Sequence, residues 1–168
     1  MQKKVIIILG SSRSHGDTRK LIDRVREEVN ADFIDLNDLK ISYYDYEHKN
    51  QDDDFLPTMK RVVQYEKIVL ASPVYWYSMS AIMKTFVDRF SDLLRVHKEV
   101  GRQLRGKQLY TISSSSDSTV YDNFLKAFEL TAEYLGMDYD GYLYGWMENE
   151  EIPKSLNPTV KTFIDKLK

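Results

Sequence analysis

Apolar residues follow two periodicities along the chain. Three short runs, residues 5–9, 68–72 and 109–113, are apolar on both alternate faces. That pattern is typical of parallel strands covered by helices on both sides of a sheet. A weaker run at residues 32–36 and a tyrosine-rich run at residues 139–145 complete a set of five predicted strands.

Between these runs, apolar residues recur every three or four positions, which predicts helices with one apolar stripe. The stripes are Leu21, Ile22, Val25 and Val29; Met59, Val62 and Val63; eight residues between Met79 and Leu94; six between Tyr121 and Leu135; and Val160, Phe163, Ile164 and Leu167. Strands that alternate with helices predict a doubly wound α/β fold. No linker or repeat divides the chain, so residues 1–168 are expected to form a single domain.

Composition narrows the possible functions. The 24 basic and 26 acidic residues give a net charge of −2, which disfavours nucleic acid and anionic membranes as partners. The absence of cysteine excludes disulfides, thiolate metal sites, cysteine nucleophiles and iron–sulfur clusters. The five apolar residues near the N-terminus are too few for a signal peptide or a membrane span, so a cytoplasmic protein is expected.

No metal site is expected from the sequence. His15, His48 and His97 lack the spacing of metal ligands and are expected on the solvated surface. The acidic residues at 52–54 are expected to cap a helix that begins near residue 55, where acids favour the helix dipole.

The first predicted strand is followed by GSSRSHGDT, residues 10–18, and then by a helical stripe. In doubly wound sheets, ligands bind beyond the carboxyl ends of the strands, where the strand order reverses. Free N–H groups at a helix N-terminus favour an anion there, and four hydroxyl side chains and Arg13 add further donors. The segment therefore predicts an anion site, although a plain turn with capping serines explains it about as well.

Two common nucleotide-binding loops do not fit residues 10–18. A P-loop has four residues between its glycines, followed by Lys and Ser or Thr. Here five residues separate Gly10 from Gly16, and Asp17 follows. A dinucleotide fingerprint needs three glycines, of which only one could be placed. A loop rich in hydroxyls instead suits a single phosphate monoester.

The third predicted strand leads into ASPVYWYSMSAIMKTFVDRF, residues 71–90. Pro73 stiffens the exit from the strand, and residues 74–76 place an aromatic wall beside the first loop in a sheet ordered 2-1-3-4-5. Ser78 or Ser80 is expected to cap the following helix. Backbone amides beside an apolar wall suit a flat ring with polar edges, such as a flavin.

In order, spacing and context, these two segments resemble the flavodoxin-like NADPH-dependent FMN reductase family, which includes NAD(P)H quinone reductases and iron–sulfur flavoproteins. The resemblance covers about residues 3–135. It implies a flavodoxin-like three-layer sandwich with a five-stranded parallel sheet ordered 2-1-3-4-5. It also implies FMN as cofactor and NAD(P)H as co-substrate.

The resemblance further implies which residues bind FMN. Ser11, Arg13 and Thr18 would bind the phosphate, helped by the backbone amides of residues 11–18. The expected cofactor contacts are Ser11, Arg13, Ser14, Gly16, Asp17, Thr18, Pro73, Val74, Tyr75, Trp76, Ser78, Ser113, Ser114 and Ser115. No side chain need act as acid or base, because the flavin carries the chemistry.

Two positions leave alternatives open. After the fourth strand the family is often glycine-rich, but here the segment is SSSSDS, residues 113–118. These serines either contact the pyrimidine side of the flavin or form a polar turn with a helix cap. Lys84, Asp88 and Arg89 match positions that often serve subunit contacts in the family, although Lys84 and Asp88 could form only a surface ion pair.

One segment is too long for a simple connection. Residues 40–54 are polar and aromatic, and such connections are often binding loops, lids or interface elements. Tyr43, Tyr44 and Tyr46 within it could cover the flavin, pack on a second subunit or pack only within the loop. The sequence does not choose among these three.

The resemblance thus predicts an FMN-dependent NAD(P)H oxidoreductase that passes hydride from NAD(P)H through FMN to a quinone, free flavin or similar small acceptor. A homodimer or a dimer-based tetramer is expected. Two alternatives are a flavodoxin-type electron-transfer protein and a flavin-free binding or regulatory domain on the same fold. Flavodoxins are usually more acidic than this chain, whereas the serine run supports the flavin-free alternative.

Overall fold

The structure is a computed structural model that describes residues 3–168. In chain order the strands are β1 Lys3–Leu9, β2 Ala31–Asp35, β3 Tyr65–Ala71, β4 Val74–Tyr75, β5 Ser78–Met79, β6 Gln108–Ser114 and β7 Asp138–Gly145. The helices are α1 Asp17–Arg26, α2 Phe55–Val62, α3 Ala81–Asp88, α4 Phe90–Arg95, α5 Lys98–Gly101, α6 Asp122–Leu135 and α7 Asn157–Leu167. Short 3-10 helices span Leu36–Asp38, Arg102–Leu104 and Lys154–Leu156.

Five parallel strands form one sheet in the order β2-β1-β3-β6-β7, while β4 and β5 pair separately as an antiparallel hairpin. Successive side chains of β1 enter different cores: Ile6 and Ile8 pack with α2, α3 and α6, whereas Ile7 and Leu9 pack with α1 and α7. Both faces of the sheet are thus covered by helices. The predicted three-layer α/β sandwich and its strand order, 2-1-3-4-5 when only sheet strands are counted, are confirmed.

The apolar stripe from Met79 to Leu94 is not one helix, as its periodicity predicted. Met79 lies in β5, α3 ends at Asp88, and α4 begins at Phe90. The backbone tightens between the helices, where the Asp92 N–H donates to the Arg89 carbonyl three residues back at 2.9 Å. Phe90 and Leu93 continue the apolar pattern beyond this turn, so periodicity alone does not reveal the break.

Arg89 is buried within the chain, with 1% of its surface exposed. The expectation that it serves a subunit contact is therefore wrong. Its guanidinium lies 4.8 Å from the centre of the Phe55 ring. It donates hydrogen bonds to the carboxylates of Asp53 and Asp92 and to the backbone carbonyls of Ser42 and Asn50. This one side chain fastens residues 40–54 to the junction of α3 and α4.

Two histidines reinforce the same attachment. His48 Nδ1 lies 2.6 Å from Asp92 Oδ1, and His97 Nε2 lies 2.7 Å from Gln51 Oε1. Each side chain is only 20% exposed, so the expectation that both are solvated surface residues is wrong. His15 is exposed, as expected.

The acidic residues before α2 act partly as predicted. Asp54 occupies the N-cap position without a side-chain cap, while Asp53 Oδ1 accepts the backbone N–H of Phe55 at 3.0 Å. Asp53 therefore caps the helix and binds Arg89 at once. Lys84 and Asp88 form an exposed ion pair one turn apart on α3.

Within residues 3–168, no helix is long and apolar enough to cross a membrane. The same residues contain no group of three or more histidine or acidic side chains arranged to hold a metal ion.

Candidate cofactor site

Three connecting segments meet at the carboxyl edge of the sheet: residues 10–18 after β1, the β4–β5 hairpin after β3, and the serine run after β6. They enclose a cavity of about 230 Å³. Its lining residues are Ser11, Arg13, Gly16, Asp17, Thr18, Pro73, Val74, Tyr75, Ser114, Ser115 and Ser116.

The first segment presents unpaired backbone donors. Gly16 is the N-cap of α1 and the helix has no side-chain cap, so the capping role considered for the serines is not what the structure shows. Among the described residues, six backbone N–H groups of this segment have no hydrogen-bond partner: those of Ser11, Ser12, Ser14, His15, Asp17 and Thr18. Asp17 and Thr18 lie in the first turn of α1. Unpaired N–H groups at a helix N-terminus form a ready site for an anion.

Charges around this segment suit an anion as well. The Arg13 side chain is exposed and forms no ion pair within residues 3–168. Asp17 lies in the first turn of α1, where its carboxylate is 3.5 Å from Lys20 Nζ. That cation offsets part of the repulsion that Asp17 would exert on a bound phosphate.

Gly10 allows the first segment to approach α3 closely. A Cβ at this position would lie 2.8 Å from Met83 Cβ and 2.9 Å from Met83 Cα, closer than real Cβ contacts. Any other residue would push the segment away from the helix. The glycine thus fixes one wall of the site.

The serine run is fastened to α1. Thr18 Oγ1 and Ser114 Oγ lie 2.7 Å apart in a buried hydrogen bond, and the Ser115 N–H donates to the Gly145 carbonyl at 3.0 Å. Ser113 is fully buried and does not line the cavity, and its Oγ has no partner among the described residues.

The hairpin contributes one aromatic side chain, Tyr75, to the lining of the cavity. Its two turn residues, Trp76 and Tyr77, have φ angles of 48° and 63°, which are unusual for bulky side chains. The Trp76 side chain is 93% exposed. Tyr75 Oη lies 2.8 Å from Ser12 Oγ, which joins the hairpin to the first segment.

Contacts with α6 hold the hairpin on its other side. The Tyr77 ring packs edge-on against Tyr121 at a centroid distance of 5.0 Å. Asn123 Nδ2 donates to the Tyr77 carbonyl at 2.9 Å. Both ends of the strained turn are therefore fixed by side chains outside it.

Most of the sequence-predicted cofactor residues line the cavity. Ser14, Trp76, Ser78 and Ser113 do not. Ser78 lies in β5, and the cap of α3 is Ser80, whose Oγ accepts the Met83 N–H at 3.1 Å.

Ser116, part of the serine run for which flavin contact was left open, also lines the cavity. Sequence reasoning missed the role of two further residues around the site. Asn37 and Ser80 lie behind the first segment and bond to its backbone. The position of Asn37 just beyond the carboxyl end of β2 is a signal that could have found it, since ligands bind beyond such strand ends.

The residues present fit FMN. Hydroxyls, unpaired N–H groups and a free guanidinium converge at the α1 end of the cavity, as a phosphate monoester requires. The partly exposed Tyr75 ring lines the cavity beside Pro73 and Val74, where a flat ring needs an apolar wall.

Residues 3–137 match the model of a family described as NADPH-dependent FMN reductase. The chain belongs to the NADPH-dependent FMN reductase family. Membership confirms the predicted enzyme class, an NAD(P)H-dependent oxidoreductase with FMN as cofactor and NAD(P)H as co-substrate.

Individual relatives agree with this assignment. The chain is 29% identical over 152 residues to a putative NAD(P)H-dependent FMN-containing oxidoreductase, YwqN, from Bacillus subtilis, with 84% of each chain covered. It is 26% identical over 98 residues to an NADPH azoreductase from a Bacillus species, covering 58% of this chain and 55% of the relative. A solved NADPH-quinone reductase from P. pentosaceus shares the flavodoxin-like fold, with a TM-score of 0.70, 17% identity and 98% of each chain covered.

Proposed function

We propose that this FMN reductase family member binds FMN in the cavity at the carboxyl edge of the sheet and transfers electrons from NAD(P)H to a small aromatic acceptor. The convergence of the phosphate-type loop, the aromatic hairpin and the serine run on one cavity carries the proposal. Family membership establishes the enzyme class, and the geometry of the cavity supports the roles given below to its residues.

Bound FMN would accept hydride from the nicotinamide and pass electrons to the acceptor. The residues of the chain bind and orient it. The unpaired N–H groups of Ser11 and Ser12 and the Arg13 guanidinium would bind the phosphate with charge-assisted hydrogen bonds. Ser114 and Ser115 would face the polar edge of the ring, and Tyr75 would form its apolar wall.

An uncharged, flat acceptor such as a quinone, free flavin or azo compound suits the mouth of the site. Tyr75, Trp76 and Tyr77 are 39%, 93% and 56% exposed, and their rings offer stacking surfaces without charge. The relative named NADPH azoreductase supports the same class of acceptor.

We also propose that the protein is a cytoplasmic homodimer or dimer-based tetramer. An uncharged groove of about 270 Å³ between the segment after β2 and α3 supports a subunit contact there. Its lining residues are Leu36, Asn37, Leu39, Ile41, Tyr43, Ala81, Ile82 and Thr85. Sedimentation analysis of the purified protein tests the oligomeric state.

The visible spectrum of the purified protein, before and after anaerobic NADPH, tests the function. We expect a flavin spectrum that NADPH bleaches and that added quinone restores. A flavin reduced by dithionite but not by NADPH would favour the flavodoxin-type alternative. A colourless protein that FMN does not reconstitute would favour the flavin-free one.

Replacing Arg13 tests the phosphate end of the site. Arg13→Ala should weaken FMN binding about 10- to 100-fold, since a hydrogen bond to a charged group contributes about 1.5–3 kcal/mol. Arg24→Ala is the matched control, because Arg24 pairs with Glu27 and Glu28 on the outer face of α1. Titration of the apoprotein with FMN measures both. Equal affinity of the two variants would remove Arg13 from the site.

A further inference from the structure

Two side chains outside the cavity bind consecutive carbonyls of the first segment. Ser80 Oγ donates to the Gly10 carbonyl at 2.7 Å, and Asn37 Nδ2 donates to the Ser11 carbonyl at 2.6 Å. Neither side chain belongs to the segment or matches the motif of residues 10–18. They approach it from different elements, the N-cap of α3 and the 3-10 helix after β2.

Both donors are held in place by further hydrogen bonds. Ser80 is 1% exposed; its Oγ also accepts the Met83 N–H at 3.1 Å, and its own N–H donates to Ser72 Oγ at 2.9 Å. The Asn37 N–H donates to Asp35 Oδ1 at 2.9 Å, and its amide also lies 3.3 Å from Ser14 Oγ. These contacts leave each donor little freedom to turn away from its carbonyl.

The direction of a carbonyl decides the direction of the next N–H. In a planar trans peptide, the C=O of one residue and the N–H of the following residue point in opposite directions. Because Ser80 holds the Gly10 carbonyl, the Ser11 N–H points away from α3. Because Asn37 holds the Ser11 carbonyl, the Ser12 N–H points away from the segment after β2. Neither of these two N–H groups has a partner among the described residues. In the same segment, the N–H groups of Ser14, His15, Asp17 and Thr18 are also without one.

We infer that Ser80 and Asn37 are positioning residues that make the first segment selective for a phosphate. They hold two partly negative carbonyl oxygens away from the anion and leave the N–H groups of Ser11 and Ser12 available to bind it. Without them either peptide could rotate and present its oxygen to the phosphate, which would be repulsive. The inference rests on the proposed function, since it assumes that the phosphate end of FMN lies at residues 10–18.

The comparison of FMN with riboflavin tests this inference, because riboflavin has the same ring and lacks the phosphate. Dissociation constants for both ligands are measured by fluorescence titration of the apoprotein. We expect Asn37→Ala and Ser80→Ala each to weaken FMN binding about tenfold, and riboflavin binding less than about twofold. Ser80→Thr keeps the hydroxyl and the cap and should restore the preference for FMN.

Tyr139→Phe is the matched control for a lost internal hydrogen bond. Tyr139 donates to Thr111 Oγ1 at 3.1 Å, away from the carboxyl edge of the sheet. The Tyr139→Phe substitution should lower the unfolding temperature and leave the ratio of FMN to riboflavin affinity unchanged. Asn37 is exposed, so its variant keeps the test valid even if Ser80→Ala fails to fold.

The possible results distinguish a failure of the positioning role from a failure of the proposed FMN site. If the wild-type protein prefers FMN and the Asn37→Ala variant keeps that preference, the positioning role is wrong and the proposed function stands. If both ligands weaken equally in the variants, the two residues serve stability alone, which also overturns the inference. If the wild-type protein binds both ligands equally, the phosphate site itself is wrong and the inference falls with it.

Discussion

Residues 40–54 form no helix or strand, and hydrogen bonds from the Arg89 side chain hold this segment in place instead. Burial alone would lower the pKa of its guanidinium, but the carboxylates of Asp53 and Asp92 outweigh that effect and raise the pKa. The charge is therefore retained in the interior. A buried charge that loses its partner is strongly destabilising, which makes this cluster a sensitive point of the chain.

Removing the guanidinium should cost much of the stability of the fold. Arg89→Met leaves the carboxylates of Asp53 and Asp92 buried without their cation, and we expect the free energy of unfolding to fall by about 3–5 kcal/mol. Urea denaturation measures the change. Arg95→Met, an exposed arginine on the neighbouring helix, should change it by less than about 0.5 kcal/mol. Similar values for the two variants would contradict a structural role for the cluster.

Among the elements, the β4–β5 hairpin has the least favourable backbone. Two-residue hairpin turns with φ above zero at both positions strongly favour Asn-Gly, yet here they are Trp76 and Tyr77. Left-handed backbone costs a bulky residue about 1–2 kcal/mol. Strained backbone of this kind is concentrated at functional sites, in keeping with the position of the hairpin at the mouth of the cavity.

Replacing Trp76 in the strained turn should change the free energy of unfolding and the KM for the acceptor in different ways. Trp76→Asn should raise the free energy of unfolding by about 0.5–1 kcal/mol, because asparagine adopts positive φ more readily. The same change should raise the KM for a quinone acceptor, since it removes the exposed ring. Glu150→Asn is the control, because Glu150 has a φ of 65° in a turn outside the cavity lining. It should raise stability and leave the KM unchanged; an unchanged KM in Trp76→Asn would remove Trp76 from the acceptor site.

The sequence predicts the elements of the sheet better than those outside it. Strands buried on both faces produce long apolar runs, so β1, β3 and β6 were found within a few residues of their ends. Strands of two residues produce no alternation, and the hairpin was missed. The turn at Arg89 was missed because the apolar stripe continues through it.

The order of the strands also explains which residues of the site can be predicted from the sequence. Thr18, Pro73 and Ser115 follow strand ends, and such positions converge at one edge of a parallel sheet. Asn37 also follows a strand end, so its place near the site could be predicted. The bonds that Asn37 and Ser80 donate to backbone carbonyls could not, because they depend on how segments distant in sequence pack.

At the scale of the whole molecule, the ion pair between Asp53 and Arg89 makes the free energy of unfolding depend on pH in the acid range. Burial would raise the pKa of Asp53, but hydrogen bonds from Arg89 and from the backbone N–H groups of Ser42 and Phe55 hold it below 3.8, the ordinary value. A lowered pKa contributes stability that is present above the ordinary value and is lost as the pH falls through the folded-state value.

We therefore expect the free energy of unfolding to fall steeply as the pH drops below about 4. Asp53→Asn should be less stable at pH 7 and should show a shallower slope below pH 4, because it has no proton to gain at this position. Urea denaturation at a series of pH values measures both slopes. Parallel slopes for the wild-type protein and the variant would show that Asp53 is not a source of the acid sensitivity.

The exposed indole at the hairpin tip also gives the protein an optical reporter. The chain has two tryptophans, Trp76 and Trp146, and the second is partly buried, with its indole N–H donating to Glu148. In a Trp146→Phe background, all tryptophan emission would come from the mouth of the cavity. A flavin bound beside it would quench that emission by energy transfer, so occupancy of the site could be followed in real time without labelling.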